Sequence, residues 1–308
     1  MKFTTAAAAL LLASTTLAHP VVKRQAAVTD LDILQYALTL EHLENVFYKG
    51  AVSKFSEQDF VNAGFPALYY QNLLFIVHDE EQHVQLLTSS IEYTGATPVA
   101  ACTYDFPYTD PKSFVGLASI LEGVGTSAYL GGAGLITSKE YLTVAGSILV
   151  TESLHTAVQR FNLGEIAPAN PYGTPLGLNP VYTLAAAFIK SCPSSNPPLP
   201  VKAFPTLTAT QGIPAAEGIP FTFTANGTLP STFFVTFCSG LDTTSVPATL
   251  TGDMISAVIP PTAMGQSYAF ITNAEVAANA TLMDSMILFG PAIVEVTPPS
   301  PTYDVNQQ

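Results

Sequence analysis

The chain has 308 residues, a formal net charge of −13 at pH 7 and a mean hydropathy of +0.34. The acidic balance argues against a nucleic-acid partner, because phosphate binding requires a basic patch. Only 11% of the residues are charged, which fits a surface-associated protein or one that forms homo-oligomers through apolar faces. The length suits two domains.

The N-terminus has the pattern of a secretory signal. Residues 1 to 18 combine a positive start, an apolar stretch and small residues suited to cleavage. Lys23-Arg24 precedes Gln25 and is typical of a dibasic processing site, although an uncleaved flexible arm is an alternative. We therefore predict a signal peptide and short propeptide over residues 1 to 24, and a secreted, extracellular mature chain with a charge of −16.

Apolar residues at helical spacing predict a first helix over residues 30 to 49, capped by Thr29 or Asp30. Two glutamates, Glu41 and Glu44, fall within its apolar stripe. Either of them is a candidate for a buried metal ligand or for a surface residue at the edge of the stripe.

A second helix is predicted over residues 66 to 93, where Glu80-Glu81-Gln82-His83 forms an E-x-x-H motif. Residues three apart lie one turn from each other on the same helix face, so Glu80 and His83 can present an oxygen and a nitrogen to one metal ion. A single copy of this motif is common by chance, and its alternative interpretation is a solvated helix face.

A third helix is predicted after Asp110-Pro111, an acidic cap followed by a proline suited to the first helical position. Between Lys112 and Lys139 the only charged residue is Glu122. The length and apolarity would allow a membrane span, but six glycines and the absence of basic flanking clusters favour a buried bundle helix and no transmembrane span. A lone buried carboxylate is costly unless it is paired, and a metal ion would pair Glu122.

A fourth helix is predicted to begin at a capping box formed by Thr137 and Glu140 and to end at Gly164. It contains a second E-x-x-H motif, formed by Glu152 and His155. Two copies of the motif in two helices are harder to attribute to chance than one.

A shorter fifth helix is predicted over residues 180 to 190, after an irregular loop at 168 to 179 that lies across the bundle surface. The helical domain thus covers residues 25 to 192. The proline-rich segment 193 to 202 cannot be a helix or an inner strand, and we interpret it as a linker.

Short β-favouring runs separated by Gly, Pro and Asn predict a small all-β, sandwich-like domain over residues 203 to 298, packed independently of the bundle. A flexible tail, residues 299 to 308, follows it. The predicted fold class is therefore α+β with several domains.

The three cysteines are an odd number for an oxidising compartment, so one of them is expected to stay free. Cys102 follows the second helix and Cys192 follows the fifth, which favours a bridge between them and leaves Cys238 as a buried thiol. Asn226 and Asn279 begin N-x-[ST] sequons and are the predicted glycosylation sites of a secreted protein.

Four helices thus carry candidate ligands: a glutamate from the first, then Glu80, His83, Glu122, Glu152 and His155. One Glu from each of two helices and one E-x-x-H from each of the other two is the pattern of di-iron and di-manganese carboxylate proteins. On this pattern, residues 30 to 192 resemble the ferritin-like superfamily, in particular its secreted fungal branch, whose members are linked to stress response and sexual development. The resemblance implies an antiparallel four-helix bundle.

An internal repeat helps to choose the ligand on the first helix. Glu41 is followed seven residues later by Tyr48, and Glu122 is followed seven residues later by Tyr129. The first and third helices therefore share one spacing, as the second and fourth share another, which indicates a duplicated helical hairpin and favours Glu41 over Glu44. The two tyrosines are expected either to donate hydrogen bonds to the ligands or to serve as core aromatics.

Four carboxylates and two imidazoles, with no thiolate, suit two metal ions, with iron the first choice and manganese the second. The resemblance implies that such a site binds dioxygen or peroxide and oxidises the metal or a substrate. Two functions stay open. One is a secreted di-metal oxidase or ferroxidase-like protein of stress or development. The other is a non-enzymatic extracellular or cell-wall protein that holds a structural metal or none.

Overall fold

The structure is a computed structural model that describes residues 28–211 and 214–303. A helical region comes first and a β-rich region follows it. The predicted signal peptide, the Lys23-Arg24 site and residues 304–308 of the predicted tail lie outside the described residues.

The described part of the helical region contains six α-helices: α1 (Asp30–Lys54), α2 (Glu57–Asn62), α3 (Ala67–Tyr93), α4 (Pro111–Gly132), α5 (Lys139–Leu163) and α6 (Leu178–Ala186). The predicted caps explain several of their ends. Thr29 caps α1 in a capping box with Asp32, and Asp110 caps α4. At the end of α5, Gly164 adopts φ 76°, a left-handed conformation that glycine reaches without strain.

Several predicted boundaries are wrong. α1 continues to Lys54, five residues beyond the predicted end at residue 49, and α2 was not predicted at all. The predicted capping box of α5 does not form, because Ser138 is the N-cap and the backbone N–H of Thr137 donates to Asp30 instead. α6 ends at Ala186 rather than at residue 190.

The residues after α6 extend into a strand instead. β2 (Ile189–Ser191) pairs antiparallel with β1 (Thr103–Tyr104), which follows α3. Beside this pairing, Cys102 and Cys192 form a disulfide bond with their Cα atoms 4.2 Å apart. The bond therefore ties the connection between α3 and α4 to the segment that leaves the bundle after α6.

The four long helices form two hairpins, because α1 packs against α3 and α4 packs against α5. Leu38, early in α1, clusters with Leu87 and Ile91, late in α3. Phe47, later in α1, clusters with Leu73, early in α3. The two helices therefore run antiparallel, as the predicted bundle requires.

One helical segment of the described residues, Pro111–Leu135, has the length and hydropathy that a membrane crossing requires. Its most apolar stretch is 61% buried within the protein. Its glycines permit close contacts with neighbouring segments, since a Cβ on Gly131 would lie 1.8 Å from the backbone oxygen of Leu176 in the loop at 168 to 179.

Seven strands lie in the β-rich region as far as the structure describes it: β3 (Leu207–Ala209), β4 (Pro220–Ala225), β5 (Phe234–Ser239), β6 (Asp242–Thr251), β7 (Met254–Val258), β8 (Gly265–Thr272) and β9 (Ile287–Val296). They pair antiparallel in the order β3-β4-β7-β6-β5-β8-β9. β6 pairs with β5 through residues 242–247 and with β7 through residues 248–251, so this strand passes between two layers. The edge strands β3 and β9 also approach each other, which nearly closes the sheet.

The two regions do not pack independently, contrary to the prediction. Tyr36 and Val124 from the bundle share a buried cluster with Tyr268 and Phe270 from β8. The hydroxyl group of Tyr268 donates to the backbone oxygen of Gly123 at 3.0 Å. The prediction failed because the alternation of polar and apolar residues shows that a face is buried but not which partner buries it.

A buried ion pair crosses the same interface. Arg160 of α5 donates from Nη1 to Oε2 of Glu295 at 2.7 Å and from Nη2 to Oε1 at 2.6 Å. Both side chains are less than 10% exposed. The pair therefore fixes α5 against β9.

Candidate metal centre

Six predicted ligands from four helices lie together in the middle of the bundle. α1 contributes Glu41 and α4 contributes Glu122, whereas α3 contributes Glu80 with His83 and α5 contributes Glu152 with His155. The four glutamates are 0% exposed, and the two histidines are 7% and 4% exposed. The helical spacing explains the pairs, because residues three apart share a helix face.

The ligand atoms fall into two groups, within each of which they lie no more than 4.8 Å from one another. The first group is Glu41, Glu80, His83 and Glu152. The second group is Glu80, Glu122, Glu152 and His155. Because Glu80 and Glu152 belong to both groups, they are placed to bridge two ions, with one terminal glutamate and one histidine at each end.

The distances follow the same arrangement. Nδ1 of His83 lies 3.3 Å from both Glu41 Oε2 and Glu152 Oε1, and 3.6 Å from Glu80 Oε2. Nδ1 of His155 lies 3.1 Å from Glu80 Oε1 and 3.4 Å from Glu122 Oε2. The two imidazole ring centres are 6.3 Å apart. This separation is within the roughly 10 Å that two ions bridged by carboxylates at about 3.5–4 Å could span.

Besides their geometry, the absence of hydrogen-bond partners indicates that these atoms suit metal ions. Among the described residues, eight buried ligand atoms have no hydrogen-bond partner: Glu41 Oε2, Glu80 Oε1 and Oε2, His83 Nδ1, Glu122 Oε2, Glu152 Oε1 and Oε2, and His155 Nδ1. Burying an unpaired polar atom is costly, and native proteins rarely do so without a reason. Two metal ions would satisfy all eight atoms.

The remaining oxygens of the terminal glutamates are held by tyrosines. The hydroxyl group of Tyr48 donates to Glu122 Oε1, and that of Tyr129 donates to Glu41 Oε1. Each tyrosine therefore binds the glutamate of the other hairpin. Oε2 of each of these glutamates has no hydrogen-bond partner and is available to a metal ion.

Further side chains contact the tyrosines and one of the histidines. Gln159 donates from Nε2 to the Tyr48 hydroxyl at 3.1 Å and accepts at Oε1 from the Tyr69 hydroxyl at 2.7 Å. Asp79 Oδ2 lies 3.3 Å from Nε2 of His155, the ring nitrogen that faces away from the ligand cluster. Such a contact fixes the orientation of a metal-binding imidazole.

Burial and mutual repulsion shift the protonation of the cluster. Burial raises the pKa of Glu80 to about 7, although the nearby imidazoles of His155, at 3.1 Å, and His83, at 3.6 Å, oppose the shift. Burial raises the pKa of Glu152 well above its ordinary value, and repulsion from Glu80 and Glu122 adds to the rise. Burial by itself lowers the pKa of His83, but the neighbouring carboxylates, Glu152 foremost, raise the pKa above its ordinary value. Without metal the centre therefore retains protons that bound ions would displace.

The structure separates the two candidate glutamates of α1. Glu41 belongs to the first group of ligands, whereas Glu44 belongs to neither group. Glu44 is nevertheless 4% exposed and lies beside the centre. Burial raises its pKa well above the ordinary value, with repulsion from Glu152 as the next cause.

Several residues of the site were not recognised in the sequence. Asp79 adjoins Glu80, and Gln159 lies four positions after His155 on the same helix face, so a systematic search along each helix face would have found both. Tyr69 has no such local signal. The predicted glycosylation sites Asn226 and Asn279 both lie exposed on the β-rich region, and the thiol of Cys238 is buried and free.

Comparison with known proteins gives a family match within the helical region. Residues 29–165 match the model of the ferritin-like domain family. Protein rds1 of Schizosaccharomyces pombe is 28% identical over 185 residues, which are 58% of this chain and 44% of that protein. The chain therefore matches less than half the length of this relative. A crystal structure of a conserved hypothetical protein from Mycobacterium tuberculosis aligns with a TM-score of 0.37 and 17% identity, over 44% of this chain and 91% of that one.

Proposed function

We propose that this chain, in which residues 29–165 form a ferritin-like domain, is a secreted protein that binds two iron or manganese ions and has oxidase or ferroxidase-like activity. The observation that carries the proposal is the convergence of eight buried ligand atoms without hydrogen-bond partners. When bound, the ions supply redox chemistry and open positions for dioxygen or peroxide. The proposed setting is stress response or development outside the cell.

The division of roles among the ligands follows from the two groups. Glu41 and His83 would hold one ion, Glu122 and His155 would hold the other, and two shared glutamates would bridge them. Oxygen and imidazole donors without thiolate suit iron and manganese. We take iron as the first choice and manganese as the second.

The other residues of the chain prepare this ligand set before metal arrives. The tyrosine bonds fix the two terminal glutamates, and Asp79 orients His155, so the ligands need not be ordered on binding. The ligand set is shielded from bulk water, because its four glutamates are 0% exposed. In such a medium the charges of the carboxylates are compensated by metal rather than by solvent.

Two observations support the proposed extracellular location. The disulfide between Cys102 and Cys192 is of a kind that persists in oxidising compartments. Both sequon asparagines, Asn226 and Asn279, are exposed and accessible to a glycan. The signal-like N-terminal residues agree with this proposal.

The second candidate function is a non-enzymatic extracellular or cell-wall protein. The β-rich region has its own hydrophobic core, which includes Phe223, Phe237 and Ile255, and it contributes none of the six ligands. Such a region would serve for attachment, while the bundle would hold a structural metal or none.

Oxygen consumption distinguishes the two candidates. The secreted protein, loaded with ferrous iron, should consume dioxygen, and the bridging-ligand variant Glu80→Gln should not. Glu81→Gln is the matched control, because Glu81 is the next residue of α3 and pairs with Lys49 at a partly exposed site. The enzymatic candidate is supported if the wild type and Glu81→Gln consume dioxygen and Glu80→Gln does not. Protein that binds metal but consumes no dioxygen supports the structural one.

A further inference from the structure

A cavity of about 430 Å³ lies between the helical bundle and the β-rich region. Its wall is formed by α1, α4, α6, β3 with the segment that leads into it, and β9. The volume falls in the range of about 300–1,000 Å³ that is usual for small-molecule sites. Sites of this kind are common where two domains meet.

The wall of the cavity is largely aliphatic. It includes Leu40, Ile120, Val124, Leu184 and Ile293. Among the described residues that line the cavity, Glu44 alone has an ionisable side chain, and no Lys, Arg or His is present. An anionic ligand would therefore be desolvated without a cationic partner, which is costly. An uncharged aliphatic molecule meets no such penalty.

The cavity reaches the metal centre at Gly125, which lines it together with Glu44. A Cβ on Gly125 would lie 2.6 Å from Glu152 Oε2 and 2.9 Å from Glu44 Oε1. The missing side chain thus brings the wall of the cavity directly against a bridging glutamate. Gly125 also lies three residues after Glu122, the position at which α3 and α5 have histidines.

We propose that this cavity binds an uncharged aliphatic molecule beside the metal centre. The aliphatic wall supplies apolar burial, and the gap at Gly125 places one end of the molecule next to Glu44 and Glu152. If the bound molecule is the substrate on which the metal centre acts, the inference rests on the proposed function. The binding of the molecule does not rest on it, because no residue of the cavity wall needs a metal ion to form the site.

Calorimetric titration with 1-decanol tests the proposal, with decanoate as the charged counterpart of the same chain length. The wild type should bind 1-decanol with a negative heat-capacity change, as burial of apolar surface requires. Decanoate should bind at least about tenfold more weakly. Equal affinity for decanoate, or no binding of 1-decanol, would overturn the proposal.

Two variants fill the cavity from two different elements of its wall, Ala186→Phe on α6 and Ala209→Phe on β3. Each should weaken 1-decanol binding at least about tenfold. The matched control is Ala278→Phe, which places the same side chain at an exposed position outside the cavity and should bind as the wild type does. Either filled variant that folds and still binds as the wild type does would refute the assignment.

Metal content of the same proteins separates this inference from the proposed function. The cavity-filling variants should retain two ions per chain, since neither changes a ligand. Metal-loaded protein that does not bind 1-decanol would contradict the cavity assignment and leave the metal centre standing. Protein that binds 1-decanol but takes up no metal would support the cavity and contradict the centre.

Discussion

The hydroxyl group of Tyr48 on α1 donates a hydrogen bond to Oε1 of Glu122 on α4, in the opposite hairpin of the bundle. Tyr129 on α4 donates in the same way to Glu41 on α1. The shared spacing of seven residues between glutamate and tyrosine therefore has a structural cause. Because the two hairpins face each other, each supplies the donor that fixes the terminal glutamate of the other.

Removing one of these donors should weaken metal binding without removing a ligand. Tyr48→Phe leaves Oε1 of Glu122 without its donor, and loss of such an outer partner commonly lowers metal affinity by about 10–100-fold. Titration of the metal-free protein with manganous ions measures the affinity. The control is Tyr93→Phe, because Tyr93 is 91% exposed and should not affect the centre. Unchanged affinity in Tyr48→Phe would reduce the tyrosine to a core aromatic.

The two glutamates of α1 should behave differently. Glu41→Ala removes a ligand of the first group, so we expect the loss of at least one ion. Glu44→Ala should keep both ions, because Glu44 is in neither group. Elemental analysis of the purified variants measures the stoichiometry. Loss of metal from Glu44→Ala together with full metal loading of Glu41→Ala would show that Glu44, and not Glu41, is the ligand.

Metal-free protein should lose stability as the pH rises from about 5 to about 8. Glu80 keeps its proton in the folded state up to about pH 7, whereas its ordinary pKa is 4.5. The pKa values of His83 and His155 are also raised above their ordinary 6.5. The folded state thus binds more protons than the unfolded chain in this window, and the free energy of unfolding falls as those protons are lost.

The thermal midpoint of chelated protein across this pH range measures the effect. Metal-loaded protein should show the opposite trend, because metal ions bind the deprotonated ligands. A midpoint of the chelated protein that rises steadily from acid to neutral pH would contradict the protonation described for the cluster.

The ion pair between Arg160 and Glu295 should be important for the contact between the two regions. Arg160→Ala leaves the carboxylate of Glu295 buried without its cation, which typically costs about 3–5 kcal/mol. Lys190→Ala is the control, because Lys190 pairs with Asp105 at the surface and such pairs contribute about 0–1 kcal/mol. Denaturant unfolding of both variants measures the difference. Equal destabilisation by both would show that the buried pair does not stabilise the interface.

Much of the candidate site could be predicted because its signals are local. Glu80 with His83, and Glu152 with His155, are one helical turn apart, so the sequence itself shows that each pair shares a face. The isolation of Glu122 in an apolar stretch identified it without any partner. The same local rules located the starts of α1 and α4, because their caps are short side-chain contacts within four residues.

The parts that could not be predicted depend on contacts between distant residues. Arg160 and Glu295 are 135 positions apart, and each by itself has the sequence signature of a surface residue. The buried cluster of Tyr36 with Tyr268 shows the same limit, since helical periodicity identifies an apolar face but not its partner. The contact of Glu44 with Gly125 could not be predicted from the sequence either, because a glycine has no side chain whose pattern would indicate its neighbour.

The central claim is that the six buried residues of the bundle hold two metal ions, and elemental analysis combined with thermal unfolding tests it most directly. Protein secreted into metal-replete medium should contain two ions of iron or manganese per chain. Its thermal midpoint should fall on chelation and recover with ferrous or manganous ions, because a ligand that binds only the native state stabilises it by about 2.7 kcal/mol at a hundredfold excess over its Kd. Protein that contains neither metal, and whose midpoint neither ion changes, would contradict the claim.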